Sequence, residues 1–368
     1  MSPLPDPCDD GFGLGSTFLN RIDHEIASVI AARPVDDFTD HATRRALTER
    51  NRQARRDAFV PDERVEIVDH VAVRDPLPDL VVRGYHRRDL DGPRPGLYWI
   101  HGGGHLVGSV DQDDALLQEW CLEVGCDAFS VDWRPSPDDP FPAEMIDAVT
   151  GLMWVVGHAG QWDIDVGRIA IGGASSGGGS ALALALLLRD HGIDGALEAL
   201  ADASRTHNTG NHAVDAACLG TASVHQNGNE FKPAAIVVIY PMLDDRNVTR
   251  SSHQIVEPRV WNRDKNLFAW RCYLGDAAGT SRVSPYAAPA RADDVSGLAP
   301  TYMATGTLDL FVDENLDFVS RMISDGVDVE LHLYPGAPHG FFTAVPHAAL
   351  SRRLVADVTN GLRRLLTP

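Results

Sequence analysis

Lysine is nearly absent from this 368-residue chain: Lys232 and Lys265 are the only two, and all other basic side chains are arginine. Lysine and arginine together number 32 against 52 aspartates and glutamates, a formal net charge of −20. Phosphate backbones and anionic bilayers are held by clustered cations, so this balance argues against nucleic acid and membrane surfaces as partners. Cysteine is sparse as well. The five, at positions 8, 121, 126, 218 and 272, are odd in number and scattered, and Cys121 and Cys126 lack zinc-ligand spacing. Reduced thiols in a cytoplasm are the expectation for such a set. No apolar run approaches the length that crosses a bilayer. Residues Met1 to Asp10 have neither a basic n-region nor an apolar h-region, so no secretion signal is expected.

Glycine patterns for nucleotides are missing too. Gly11-Phe12-Gly13-Leu14-Gly15 follows no strand and is wrongly spaced for a dinucleotide, and Gly177-Gly178-Gly179-Ser180 lacks the lysine of a phosphate loop. A zinc site at His101 and His105 fails because three intervening glycines disfavour a helix and the H-E-x-x-H glutamate is absent. No metal and no cofactor is expected. With 44% hydrophobic residues the chain buries a large core, as one main domain requires.

Gly173-Ala174-Ser175-Ser176-Gly177 follows the apolar stretch Arg168 to Ile171 and leads into the helical pattern from Ser180. A strand, a sharp turn and a helix with serine at the bend make a nucleophile elbow: flanking glycines let the backbone turn tightly and hold the hydroxyl clear. The following amide, that of Ser176, and the helix N-terminus then point where negative charge develops. Ser176 is the rival nucleophile, but its frame would need glycine where Ala174 stands. Upstream, His101-Gly102-Gly103-Gly104 sits just past the apolar run Gly96 to Ile100, where bare backbone turns N–H groups toward an oxyanion.

A serine nucleophile needs an imidazole and an orienting carboxylate. Asp309 is the first carboxylate past the strand Tyr302 to Thr305. Asp313 lies at the start of an amphipathic helix, where an N-cap role explains it. His339 lies in the loop beyond the alternating strand Val327 to Tyr334, whereas His332 sits within that strand as a partly exposed residue. Ser175, Asp309 and His339 thus appear in the chain order serine, acid, histidine.

With these blocks in place, the chain resembles the hormone-sensitive-lipase-like branch of the α/β-hydrolases, whose members are mostly carboxylesterases. The likeness rests on His101 to Gly104, Gly173 to Gly178, Gly306 to Asp309 with Asp313-Glu314 behind, Pro338-His339-Gly340-Phe341, and Asp132-Trp133-Arg134-Pro135 through Ala143. It runs from about residue 64 to the C-terminus. Trp133 stands where tyrosine is usual and His105 where an aromatic residue is common, which makes both substrate-contact candidates. Ala174 replaces aspartate or threonine, and Ser176 replaces alanine.

Two alternating strands, 64–73 and 80–85, read as an antiparallel pair. Parallel strands follow at 96–100, 128–132, 168–171, 234–240, 301–305 and 329–334, with helices at 114–124, 143–156, 178–189, 314–324 and 348–366. The expected fold is an α/β-hydrolase with a mostly parallel eight-stranded sheet, helices on both faces and a helical cap. Residues 1–60 form an N-terminal cap segment and 61–368 the catalytic domain, with a polar insertion at about 192–231 and a cap connection at about 245–285. The insertion carries one helix at 195–203 between polar loops. Phe12, Phe18, Trp261, Phe268 and Trp270 are available as apolar walls or as internal packing of the cap.

The function expected is a serine carboxylesterase for short- to medium-chain esters, with His339 taking the Ser175 proton and the amides of Gly103, Gly104 and Ser176 holding the oxyanion. The same triad could serve a lactone, carbamate or amide. A ligand receptor on a hydrolase scaffold is the reading from another class, and retention of His339 speaks against it. Nothing in the sequence sets the oligomeric state, and a homo-oligomer is compatible with it.

Overall fold

Apolar runs bounded by turn residues become the strands of one eight-stranded sheet. The fold is that of a computed structural model, which describes residues 16–35, 37–207 and 231–367. Phe12, Cys8, Cys218, the glycines at 11–15 and the polar loops read at 208–212 and 226–229 lie outside these residues. β1 (Val65–Ala72) and β2 (Leu80–Arg87) pair antiparallel, with Val65 opposite Arg87 and Ala72 opposite Leu80. β3 (Arg94–Ile100), β4 (Asp127–Val131), β5 (Ile164–Ala174), β6 (Ala235–Ile239), β7 (Thr301–Leu308) and β8 (Val329–Pro338) run parallel to one another, and the sheet order is β1-β2-β4-β3-β5-β6-β7-β8. Every residue of β4 and β6 is buried, which is why Ala235-Ile236-Val237-Val238-Ile239 reads as an unbroken apolar run.

Three helices precede the sheet: α1 (Ser16–Leu19), α2 (His24–Ala32) and α3 (His41–Ala58). Asp23 and Asp40 cap the latter two, accepting from the amides of Glu25 at 3.0 Å and Thr43 at 2.7 Å. α4 (Asp114–Trp120) follows the glycine turn. α5 (Ala143–His158) and α6 (Ser176–His207) pack on each other over one face of the sheet. Gly192, at φ 65°, interrupts α6, and the helix resumes across the predicted 195–203 stretch. α7 (Arg250–Gln254) and α8 (Arg263–Leu274) follow β6, α9 (Val312–Ser324) follows β7, and α10 (Phe341–Ala344) and α11 (Ala349–Leu366) close the chain.

α11 covers the face opposite α5 and α6, burying Leu354, Val358, Leu362 and Leu366 at a spacing of four. Each such side chain contributes about 1.5–3 kcal/mol when fully buried. Phe38, which leads into α3, meets the Trp261 ring edge-on at 5.4 Å, and Arg44 lies 5.0 Å over Phe268. Arg52 and Arg56 of the same helix both bind Asp111, just beyond the glycine turn, at 3.0 and 2.6 Å. These contacts bring α3 and the α7–α8 segment together beside the glycine turn. Among the described residues no helix is long and apolar enough to cross a membrane.

Candidate active site

Ser175 stands between β5 and α6 at φ 59°, a left-handed conformation that costs a non-glycine residue about 1–3 kcal/mol. Neighbouring backbone holds it there. Its amide donates to Ile239 O at 2.9 Å, and its carbonyl accepts from the Met242 and Gly179 amides at 3.0 Å each. The flanking glycines are required by close approach: a Cβ on Gly173 would lie 2.3 Å from Gly177 O, and one on Gly177 would lie 2.1 Å from Ile100 O.

His339 and Asp309 arrive from the ends of neighbouring strands β8 and β7. The Ser175 Oγ lies 2.8 Å from His339 Nε2, and His339 Nδ1 lies 2.8 Å from Asp309 Oδ2. Asp309 is fully buried, and its other oxygen accepts from the Phe311 amide at 2.9 Å, so the carboxylate cannot rotate freely. Around the imidazole sit Tyr240 at 4.4 Å, Phe311 at 5.0 Å edge-on and Trp261 at 6.3 Å between ring centroids. Burial and the nearby Asp309 push the Tyr240 hydroxyl well above its ordinary range, so it remains neutral. Tyr240 and Phe311 carry no local sequence signal for this role; each is recognised only once β6 and β7 are adjacent.

The glycine turn lies against the elbow. Gly103 O accepts from the amides of Leu106 and Val107 at 3.1 and 3.2 Å, and Gly102 O accepts from Gln112 Nε2 at 3.2 Å. Carbonyls are thus consumed by the turn while amides are left over. Among the described residues none accepts a hydrogen bond from the amides of Gly103, Gly104 or Ser176. At Gly104, φ 63°, a Cβ would fall 2.3 Å from Trp261, whose indole covers this residue and donates to Asn266 at 3.1 Å. Trp261 is therefore a wall of the site, while Trp270 is internal packing at 1% exposure.

Residues 97–343 match the family described as alpha/beta hydrolase fold. The chain belongs to that family, in its hormone-sensitive-lipase-like branch of ester hydrolases. Among curated relatives, the carboxylic ester hydrolase LipN of Mycobacterium tuberculosis is 27% identical over 83% of this chain and 72% of its own. The carboxylesterase NlhH of the same organism is 28% identical over 79% of this chain and 80% of its own. A solved bacterial heroin esterase superposes with a TM-score of 0.79 at 31% identity, covering 95% of this chain and 99% of that one. Esterase LipW from Mycobacterium marinum gives 0.78 at 28%, covering 95% and 98%.

Within this hydrolase three sequence expectations need correction. His105 does not offer its ring to a substrate: it is 2% exposed, binds Glu144 through Nδ1 at 2.7 Å and stacks on Tyr273 at 3.9 Å and 3°. Trp133 is equally withdrawn, donating from Nε1 to His101 O at 3.2 Å and stacking on His101 at 4.7 Å. Its place below the glycine turn follows from the 101–104 backbone folding over it. Asp313 does not cap its own helix, which begins at Val312. Its carboxylate accepts instead from the Ser251 amide at 2.7 Å, the start of α7. Beside it Glu314 accepts from Leu243 N at 2.7 Å, and burial raises its carboxyl well above the usual range. His332 is half-buried within β8, beside Glu330 at 2.6 Å, as read from the strand pattern. Ser176 Oγ is buried and, among the described residues, has no hydrogen-bond partner, so no base there faces it.

Proposed function

We propose that this ester hydrolase is a serine carboxylesterase acting on small-molecule esters of short to medium acyl length through an acyl-enzyme, with Ser175 as nucleophile, His339 as base and Asp309 as orienting acid. The observation that carries the reading is the unbroken relay from Ser175 Oγ through His339 to the buried Asp309, each step 2.8 Å. With Asp309 ionised, Nδ1 bears the proton and donates to it, so Nε2 turns its lone pair to the serine hydroxyl. Attack on the ester carbonyl transfers the serine proton to Nε2 and places negative charge on the carbonyl oxygen. The unpartnered amides of Gly103, Gly104 and Ser176 form the oxyanion hole. His339 then protonates the departing alcohol and draws a proton from water for deacylation.

The helices before residue 60 and the 245–285 connection act as the cap over this catalytic domain, a reading supported by the packing of Phe38 on Trp261 and of Trp261 on Gly104. Free thiols at Cys121, Cys126 and Cys272 support a cytoplasmic place of action. A chromogenic aryl ester tests the mechanism. The wild type should release a burst of one phenolate per Ser175, and Ser175→Ala should lose on the order of 10⁶ in turnover. Near-normal hydrolysis by Ser175→Ala would refute the assignment.

A further inference from the structure

Glu144 places a carboxylate in the interior, 1% exposed, and among the described residues no lysine or arginine pairs with it. Both oxygens are nonetheless engaged. Oε2 meets His105 Nδ1 at 2.7 Å and Oε1 accepts from Ser180 Oγ at 2.5 Å. His105 is the residue directly after Gly104, and Ser180 is one turn into α6 from Ser176. One side chain on α5 therefore joins the two pieces of backbone that supply the unpartnered amides.

The local conformation makes that join consequential. His105 sits at φ 61°, in the left-handed region that a β-carbon disfavours, so the turn does not hold this shape by local preference. Its ring is fixed by the Tyr273 face on one side and the Glu144 carboxylate at its edge, and its carbonyl accepts from the Ser136 amide at 2.8 Å. A phenyl ring here could stack but could not be held in register by a carboxylate. Polar residues at 105, 144 and 180 form one unit, since each satisfies a group that another would otherwise leave buried and unpaired.

We infer that Glu144 is a positioning residue for hydrolysis: it clamps the glycine turn to the elbow helix and so sets the spacing between the Gly103–Gly104 amides and that of Ser176. The inference rests on the serine esterase reading above. Oxyanion donors act through placement, and a displacement of about 1 Å costs roughly a hundredfold in rate. Substrate binding in the ground state depends on the walls of the site, and among the described residues Trp261, Tyr240 and Phe311 make no hydrogen bond to Glu144, His105 or Ser180.

The test is Glu144→Gln in the full chain with p-nitrophenyl butyrate. Glutamine keeps the shape but presents one N–H₂ to a donor. The expected result is a 10- to 100-fold fall in kcat with KM within about threefold, and an equal weakening of inhibition by a boronic acid that adds to the serine as a tetrahedral adduct. Ser180→Ala, which removes one donor and no charge, should show the same split more mildly and stands in if Glu144→Gln fails to fold. The double variant should lose no more than Glu144→Gln alone. Wild-type kcat in folded variants, a loss confined to KM, or lowered melting temperature with unchanged kcat would overturn the clamp. Ser175→Ala run in parallel separates the two failures: activity there refutes the serine mechanism itself, whereas an inactive Ser175→Ala beside a fully active Glu144→Gln refutes only the clamp.

Discussion

Two adjacent hydroxyls at one bend have opposite surroundings. Ser175 is raised on a strained backbone and meets an imidazole, while Ser176 turns inward and, among the described residues, finds no partner for its oxygen. A buried hydroxyl without a hydrogen bond destabilises the folded state, so its removal relieves a cost while the Ser176 amide stays in place. Ser176→Ala should keep kcat within about threefold of wild type and leave the melting temperature unchanged or higher, as ester hydrolysis and thermal unfolding will register. At this scale the sequence was readable where residue type and neighbours coincide: Ser175, Asp309 and His339 each follow a strand and stand among glycines or prolines that mark the turn. It was silent on Glu144, Tyr240 and Phe311. Their roles arise from contacts between segments far apart in the chain, Glu144 with His105 and both Tyr240 and Phe311 with His339, which no local pattern encodes, and the same gap underlies the reading of His105 and Trp133 as substrate contacts.

Strands and helices were legible from apolar periodicity, and their ends less so. β7 and β8 extend to Leu308 and Pro338, past the predicted limits, because the ladder continues with Leu308 opposite Pro338 after an irregularity at Gly306. Asp313 falls one position inside α9 because that helix starts at Val312, and its carboxylate serves the start of α7 instead of its own helix. On the other side of the sheet, β1 and β2 carry a histidine pair whose Nε2 atoms lie 3.2 Å apart, close to Trp154 and Trp162. One proton fits between them. Burial, with the neighbouring His86, holds the His70 imidazole below its ordinary 6.5. The unfolded chain therefore takes up this proton at a higher pH than the folded one. Its contribution to stability is complete above pH 6.5 and is lost as pH falls through the folded value. His70→Gln should flatten the dependence of melting temperature on pH below 6.5, measurable by calorimetry across that range.

Across the whole molecule, the relay sits at the C-terminal ends of β5, β7 and β8 while its lining comes from elsewhere. Trp261 belongs to the segment after β6 and covers Gly104, and Phe38 supports it from ahead of α3. Removing that support loosens the indole without moving Ser175, His339 or Asp309. Phe38→Ala should raise KM for aryl esters about fivefold, corresponding to about 1 kcal/mol of lost packing, with kcat held within twofold. Equal loss in both constants would show that Phe38 reaches the chemistry itself.

The indole over Gly104 separates two tasks along the chain. On the proposed reading, bond breaking is entrusted to loops anchored in the sheet, and the choice of which ester enters falls to peripheral helices that meet those loops through Trp261 on Gly104, Tyr273 on His105 and the arginines on Asp111. Selection can therefore retune the menu of accepted molecules by altering Phe38, Trp261 and their neighbours, leaving the hydrolytic apparatus as it is.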